Sequence, residues 1–116
     1  MIKSYKDLDV WKRSIALVKK IYMITKDFPK EEIYGLTNQM RRCAVSIPSN
    51  IAEGKTRQHI NEYIQFLYIA LGSCAELESQ IIIAKELEYL KESETEDLNE
   101  LDEIGKMLRG LIKNLR

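Results

Sequence analysis

Arg42, Ser46, Asn50 and Glu53 recur at i, i+4, i+8 and i+11 within residues 39–54. A helix through this run sets all four on one face. A guanidinium, a hydroxyl, an amide and a carboxylate in a row can bind a ligand or nucleic acid. They can equally form a hydrogen-bonded seam between packed helices. Pro48 sits in the middle of the run and Gly54 at its end. A proline in a helix interior removes one N–H and presses on the carbonyl four residues back, here Ala44, at a cost of about 3 kcal/mol. Yet Leu36, Met40, Cys43, Ala44, Ile47 and Ile51 keep helical spacing straight through Pro48. The pattern predicts a continuous, kinked helix with the freed carbonyl served nearby. Buried polar groups beside a kink usually serve the backbone, which favours the seam. Pro48, Gly54 and, on a later helix, Gly72, Ser73 and Glu76 are assigned with these four to one structural or oligomer-forming polar stripe.

Few other residues are arranged for catalysis. The single histidine, His59, falls at an expected helix start, where capping suits it better than general-base work. No nucleophile-elbow, phosphate-loop, dinucleotide or zinc-protease motif occurs. A di-iron bundle needs Glu-x-x-His pairs on two helices; neither Glu76 nor Glu78 has a histidine three residues on, and Glu53 is followed by Thr56. Glu76 and Glu78 are expected to pair with Arg41 or Arg42. Cys43 and Cys74 stand singly on apolar faces, as core residues rather than a disulfide or metal pair. The expectation is a protein with no catalytic site, no metal and no cofactor.

Binding has more support. Lys12, Arg13, Lys19, Lys20 and Lys26 lie on the outer side of the first predicted helix, with Lys12, Lys19 and Lys26 seven residues apart. Arg41, Arg42, Lys55 and Arg57 surround the second. Together these nine could form a basic surface for RNA or DNA, with contacts mostly to phosphate. Lysines on a helix are also simply solvated, whereas arginine forks suit phosphate or carboxylate partners. Net charge is zero, but residues 1–60 hold 12 Lys/Arg against 6 Asp/Glu, and residues 61–116 the reverse. That division suits either a polyanion-binding face or attraction between basic and acidic helices, within a bundle or between subunits.

These residues need a scaffold, and 116 residues are enough for one domain with one core. Five glycines, two prolines and no long alternating β-branched runs argue for helices. No run of 18 apolar residues and no apolar segment near the start mark a membrane span or signal peptide, so a cytoplasmic protein with no membrane partner is expected. Helix 1 is predicted over residues 7–28 with Asp7 as N-cap. Its inward stripe is Leu8, Trp11, Ile15, Val18, Tyr22 and Thr25, flanked by Val10, Leu17, Ile21, Ile24 and Phe28. Helix 2 spans 31–54 and closes on Gly54 as a C-terminal glycine. Helix 3 spans 60–90 with His59 as N-cap; helix 4 spans 94–115 behind a Ser93–Glu96 capping box. Helix 3 is apolar almost all round, leaving only Gln65, Gly72, Ser73, Glu76 and Ser79 as a polar strip. Such a helix is buried on more than one side, which predicts a homo-oligomer. Gly72, Gly105 and Gly110 would allow close backbone approach.

The run Ser46-Ile47-Pro48-Ser49-Asn50-Ile51-Ala52-Glu53-Gly54 resembles the signature of the intervening-sequence proteins, some encoded within insertions in bacterial 23S ribosomal RNA genes. Leu8-Asp9-Val10-Trp11, Phe28-Pro29, Tyr34-Gly35-Leu36-Thr37, Ala70-Leu71-Gly72-Ser73, Glu76-Leu77-Glu78 and the 107–112 segment agree, so the resemblance spans nearly the whole chain. It implies an all-α, antiparallel up-down-up-down four-helix bundle in a ring-shaped assembly, commonly a pentamer. The family is similar to accessory proteins of diversity-generating retroelements, which implies RNA or DNA and a nucleic-acid enzyme as partners. The function expected is a non-catalytic oligomeric binding or scaffold protein; the alternative is a protein-interaction module with no nucleic-acid role.

Overall fold

In the computed structural model, residues 4–116 are described, the side chains of Glu96 and Asp97 excepted. They contain helices α1 (Asp9–Thr25), α2 (Leu36–Lys55), α3 (Ile60–Glu86), the short α4 (Glu92–Glu96) and α5 (Glu100–Leu115), with 3-10 turns at Tyr5–Asp7, Lys30–Glu32 and Asp97–Asn99. No strand occurs among the described residues. The four long helices form a bundle: α2 packs between α1 and α3, and α5 closes it against both. Leu17, Ile21, Met40, Ile47, Ile51, Leu67, Leu77, Ile104 and Leu108 are fully buried at its centre.

Several boundaries differ from expectation for local reasons. Asp7 is not the N-cap of helix 1. It ends a 3-10 turn and accepts the Ser4 N–H at 3.2 Å, while Ser4 Oγ accepts Lys6 N–H, and α1 starts two residues later. The predicted secondary series, Val10, Leu17 and Ile21, is the one that faces the core, whereas Ile15 and Tyr22 are exposed. Ser14 and Thr25 join the buried stripe because each hydroxyl donates to a carbonyl of its own helix, Trp11 O and Ile21 O, both at 2.7 Å. A polar side chain satisfied in this way can be buried at little cost.

Helix 2 starts at Leu36 rather than near residue 31. The Glu32 carboxylate accepts the Leu36 N–H at 3.1 Å and the Tyr89 hydroxyl at 2.8 Å, so it caps α2 and ties the α3–α4 connection to it. Tyr89 is aimed there by the end of α3. Glu88 has φ 63°, Glu88 N–H donates to Lys85 O, and Tyr89 N–H donates to Ala84 O, both at 2.9 Å. This is a Schellman turn with glutamate where glycine is usual. α2 continues through Pro48, which is buried.

Gly54 does not end its helix. Its φ is not positive, and α2 runs on to Lys55. A Cβ at this position would lie 2.7 Å from Phe66 Cβ, 3.0 Å from Tyr63 Cδ1 and 3.2 Å from Tyr63 O. Glycine is required here because α2 and α3 nearly touch. The fourth predicted helix is interrupted at Asp97–Asn99, so α5 begins at Glu100; the predicted Ser93–Glu96 box involves a side chain outside the described residues.

Candidate functional site

The nine predicted cations divide by their partners. Arg13 is paired with Glu100 and its Nη1 lies 3.4 Å from Met107 Sδ, which joins α1 to α5. Arg41 donates from Nε to Thr25 Oγ1 at 2.9 Å and stacks on the Tyr22 ring at 4.8 Å, joining α2 to α1. Arg57 pairs with Glu53 at 2.8 Å and lies over Phe66, and Lys55 lies over Tyr63. These four are held within the chain. Lys12, Lys19 and Lys26 are exposed along α1, and among the described residues none of the three side chains has an ion-pair partner. Lys20 is exposed beside them. Half-exposed Ile15, Tyr22 and Met23 alternate with these lysines.

Of the predicted polar stripe, Ser46 and Ser73 meet across α2 and α3, their hydroxyls 2.7 Å apart, and Ser46 also donates to Cys43 O at 2.6 Å. The Cys43 thiol donates to Ser73 O at 3.1 Å. Burial, with Glu76 adding to it, pushes this thiol up to about 12, so it stays protonated and serves as a donor. Asn50 Nδ2 donates to Ser46 O at 2.7 Å, a second donor on a carbonyl one turn before it. Glu53 faces Arg57 instead. No ion pair joins Glu76 or Glu78 to Arg41 or Arg42 among the described residues; Arg41 is drawn to α1 by Thr25 and Tyr22. Gly72 and Gly110 have open space where a Cβ would sit.

Above the serines, α2 and α3 part into a cleft of about 490 Å³ lined by Asn38, Gln39, Arg42, Cys43, Ser46, Glu76 and Gln80. Gln80 was absent from the residues expected to matter. The signal was present: Ser73, Glu76 and Gln80 at i, i+3 and i+7 share a helix face, as do Gln39, Arg42 and Ser46 opposite. Outside the cleft, Tyr68, Ile69, Ile82 and Ile83 of α3 are about half exposed. α3 is also long and apolar enough to cross a membrane by length and composition, although it lacks the unbroken apolar run sought in the sequence. In this fold one side of it packs on α2 and α5. Among the described residues, no three His, Cys, Asp or Glu side chains converge as a metal site.

The sequence pattern of the family described as 23S rRNA-intervening sequence protein matches residues 6–110. A crystal structure of a protein with unknown function from the S23 ribosomal protein family of Bacteroides thetaiotaomicron is similar, at 27% identity and a TM-score of 0.81. The match covers 90% of this chain and 98% of that one. Among curated proteins, none matches.

Proposed function

Because the chain belongs to the 23S rRNA-intervening sequence protein family, we propose that it is a non-catalytic, oligomeric binding module that holds RNA. The observation that carries this reading is the α1 face: three exposed lysines at seven-residue spacing, with no ion-pair partners among the described residues and with Tyr22 among the lysines. Uncompensated cations at regular intervals suit a polyanion. The half-exposed isoleucines of α3 favour assembly through the exposed part of α3, since a chain alone would leave them in water. A ring, with five subunits the number expected from the family resemblance, would repeat the lysine face and multiply weak contacts. A nucleic-acid enzyme acting on the held strand is a compatible partner, and the cytoplasm is the setting this reading assigns.

The test is RNA binding across a salt series, with mass measured by light scattering in the same samples. Binding by a defined oligomer should weaken linearly in log salt. Lys12→Gln, Lys19→Gln and Lys26→Gln together should leave the melting temperature unchanged and make that line shallower by about 2 per subunit, three contacts at roughly 0.7 each. An unchanged slope would place the phosphate contacts elsewhere. The exposed Ile15, Tyr22 and Met23 favour a second reading, an acidic amphipathic protein segment on the same face. Salt-resistant binding to such a peptide, with no RNA bound, would select it.

A further inference from the structure

The α2–α3 cleft has features that no structural seam requires. Gln80 is only 8% exposed, and its Oε1 is buried without a hydrogen-bond partner. A buried amide oxygen with no donor is rare and costly. Arg42 reaches the cleft from α2 and Glu76, which interacts with the Cys43 thiol, from α3, and among the described residues no ion pair joins the two. Ser46 is already engaged by Ser73 and Cys43 O. The cleft therefore sets two acceptors of α3, the Glu76 carboxylate beside the Cys43 thiol and the buried, unpartnered Gln80 Oε1, opposite one forked donor, Arg42. Its volume of about 490 Å³ is within the range of small-ligand sites.

We propose that this cleft receives a guanine base. Guanine carries two neighbouring donors, N1–H and the N2 amino group, which match Glu76 and Gln80 Oε1. Its O6 and N7 accept from an arginine fork, the role left to Arg42. Uracil has a single ring N–H, and adenine and cytosine each have only one amino group, so none supplies two donor sites beside an acceptor pair. A bare phosphate would pair with Arg42 but be repelled by Glu76 and leave Gln80 unserved. The inference rests on the RNA-binding reading and adds the base that would be selected; single-stranded RNA can splay a base out for such readout. The amides of Asn38 and Gln39, able to donate and accept, would complete the rim.

The experiment uses the full chain in its native assembly. Calorimetry with the four ribonucleoside monophosphates is compared with binding of single-stranded oligonucleotides that contain guanine or only uracil. The expected result is binding of guanosine monophosphate alone among the four, and about tenfold tighter binding of guanine-containing strands. Gln80→Leu and, separately, the surface change Arg42→Ala should abolish the preference while binding of the uracil strand persists. Guanosine monophosphate bound in a Gln80-dependent way, with no strand bound, would support the cleft and sink the RNA reading. Strands bound equally well with or without guanine would overturn the cleft and leave the RNA reading standing. No nucleotide bound, with Gln80→Leu changing the subunit number, would show that a second copy fills the cleft and would also overturn it.

Discussion

Gly54→Ala should destabilise the protein even though alanine is the better helix former. In a helix interior with free space, the change gains about 1 kcal/mol. At Gly54 the new carbon would stand 2.7 Å from Phe66 Cβ and 3.2 Å from the Tyr63 carbonyl, well inside the 3.5–4.0 Å of ordinary carbon contact. Both atoms belong to or adjoin the α3 backbone, so no side-chain rotation relieves the clash; α2 must move off α3. Overpacking costs about 1–3 kcal/mol, and backbone-anchored neighbours put this site at the upper end. About 3 lost against about 1 gained leaves a net loss on the order of 2 kcal/mol. At roughly 4 °C per kcal/mol for a chain of this size, the melting temperature should fall by about 8 °C. Gly110→Ala is the control, because nothing lies within 4 Å of the point its methyl carbon would occupy; it should gain about 1 kcal/mol. Both are measured by urea and thermal unfolding at one protein concentration, since self-association makes melting concentration-dependent. If Gly54→Ala matched or exceeded the parent protein in stability, the close approach of α2 and α3 would not be what requires glycine.

Three further outcomes follow from the fold. Glu88→Gly relieves a left-handed residue at φ 63° and should raise stability by about 1 kcal/mol in urea unfolding; a loss would mean that Glu88 makes a contact worth more than its strain. Tyr89→Phe removes the hydroxyl bound to the Glu32 carboxylate at 2.8 Å and should cost about 1 kcal/mol, with faster amide exchange at Leu36 as the local signature. Exchange unchanged at Leu36 would separate the hydroxyl from the cap. For Cys43, burial first and Glu76 second raise the thiol from 9.0 to about 12, so above pH 9 the unfolded chain releases a proton that the folded chain keeps. Its contribution is whole below pH 9 and is lost as pH rises towards 12. Cys43→Ala should flatten the decline in stability between pH 9 and 10.5, and an equal decline in both proteins would refute the assignment.

The helices were legible in the sequence because apolar spacing survives almost any context: the stripes of α2 and α5 and the all-round apolar character of α3 all reappear in the bundle. What could not be read was which of two physical causes lay behind a residue. A glycine near a helix end serves a left-handed cap or a close approach, and only the position of Phe66 decides for Gly54. Ser14 breaks the apolar spacing of α1, so Ile15 and Tyr22 read as inward when they are exposed; its bond to Trp11 O is what allows Ser14 to be buried. The cations posed the same problem. Arg13 and Arg41 read as binding residues until Glu100, Thr25 and Tyr22 are seen to hold them. Glu32 as the cap of α2 depends on Tyr89, 57 residues away in sequence, beyond any local pattern.

Ser46 and Gly54 mark two points on α2 roughly 12 Å apart along its axis, and they constrain it in opposite ways. The first attracts Ser73, and the second admits Phe66 only because it has no side chain. Sliding α2 by one turn, about 5.4 Å, would part the serines and push Asn50 or Ile51 into the space reserved for the ring. The two helices thus share a single notch, like a key cut in two places. A change of state in this bundle cannot travel as a piston stroke of α2 along α3. It must instead pass through α1 or α5, where side chains can let go: Arg41 on Tyr22 joins α2 to α1, and Arg13 on Glu100 joins α1 to α5.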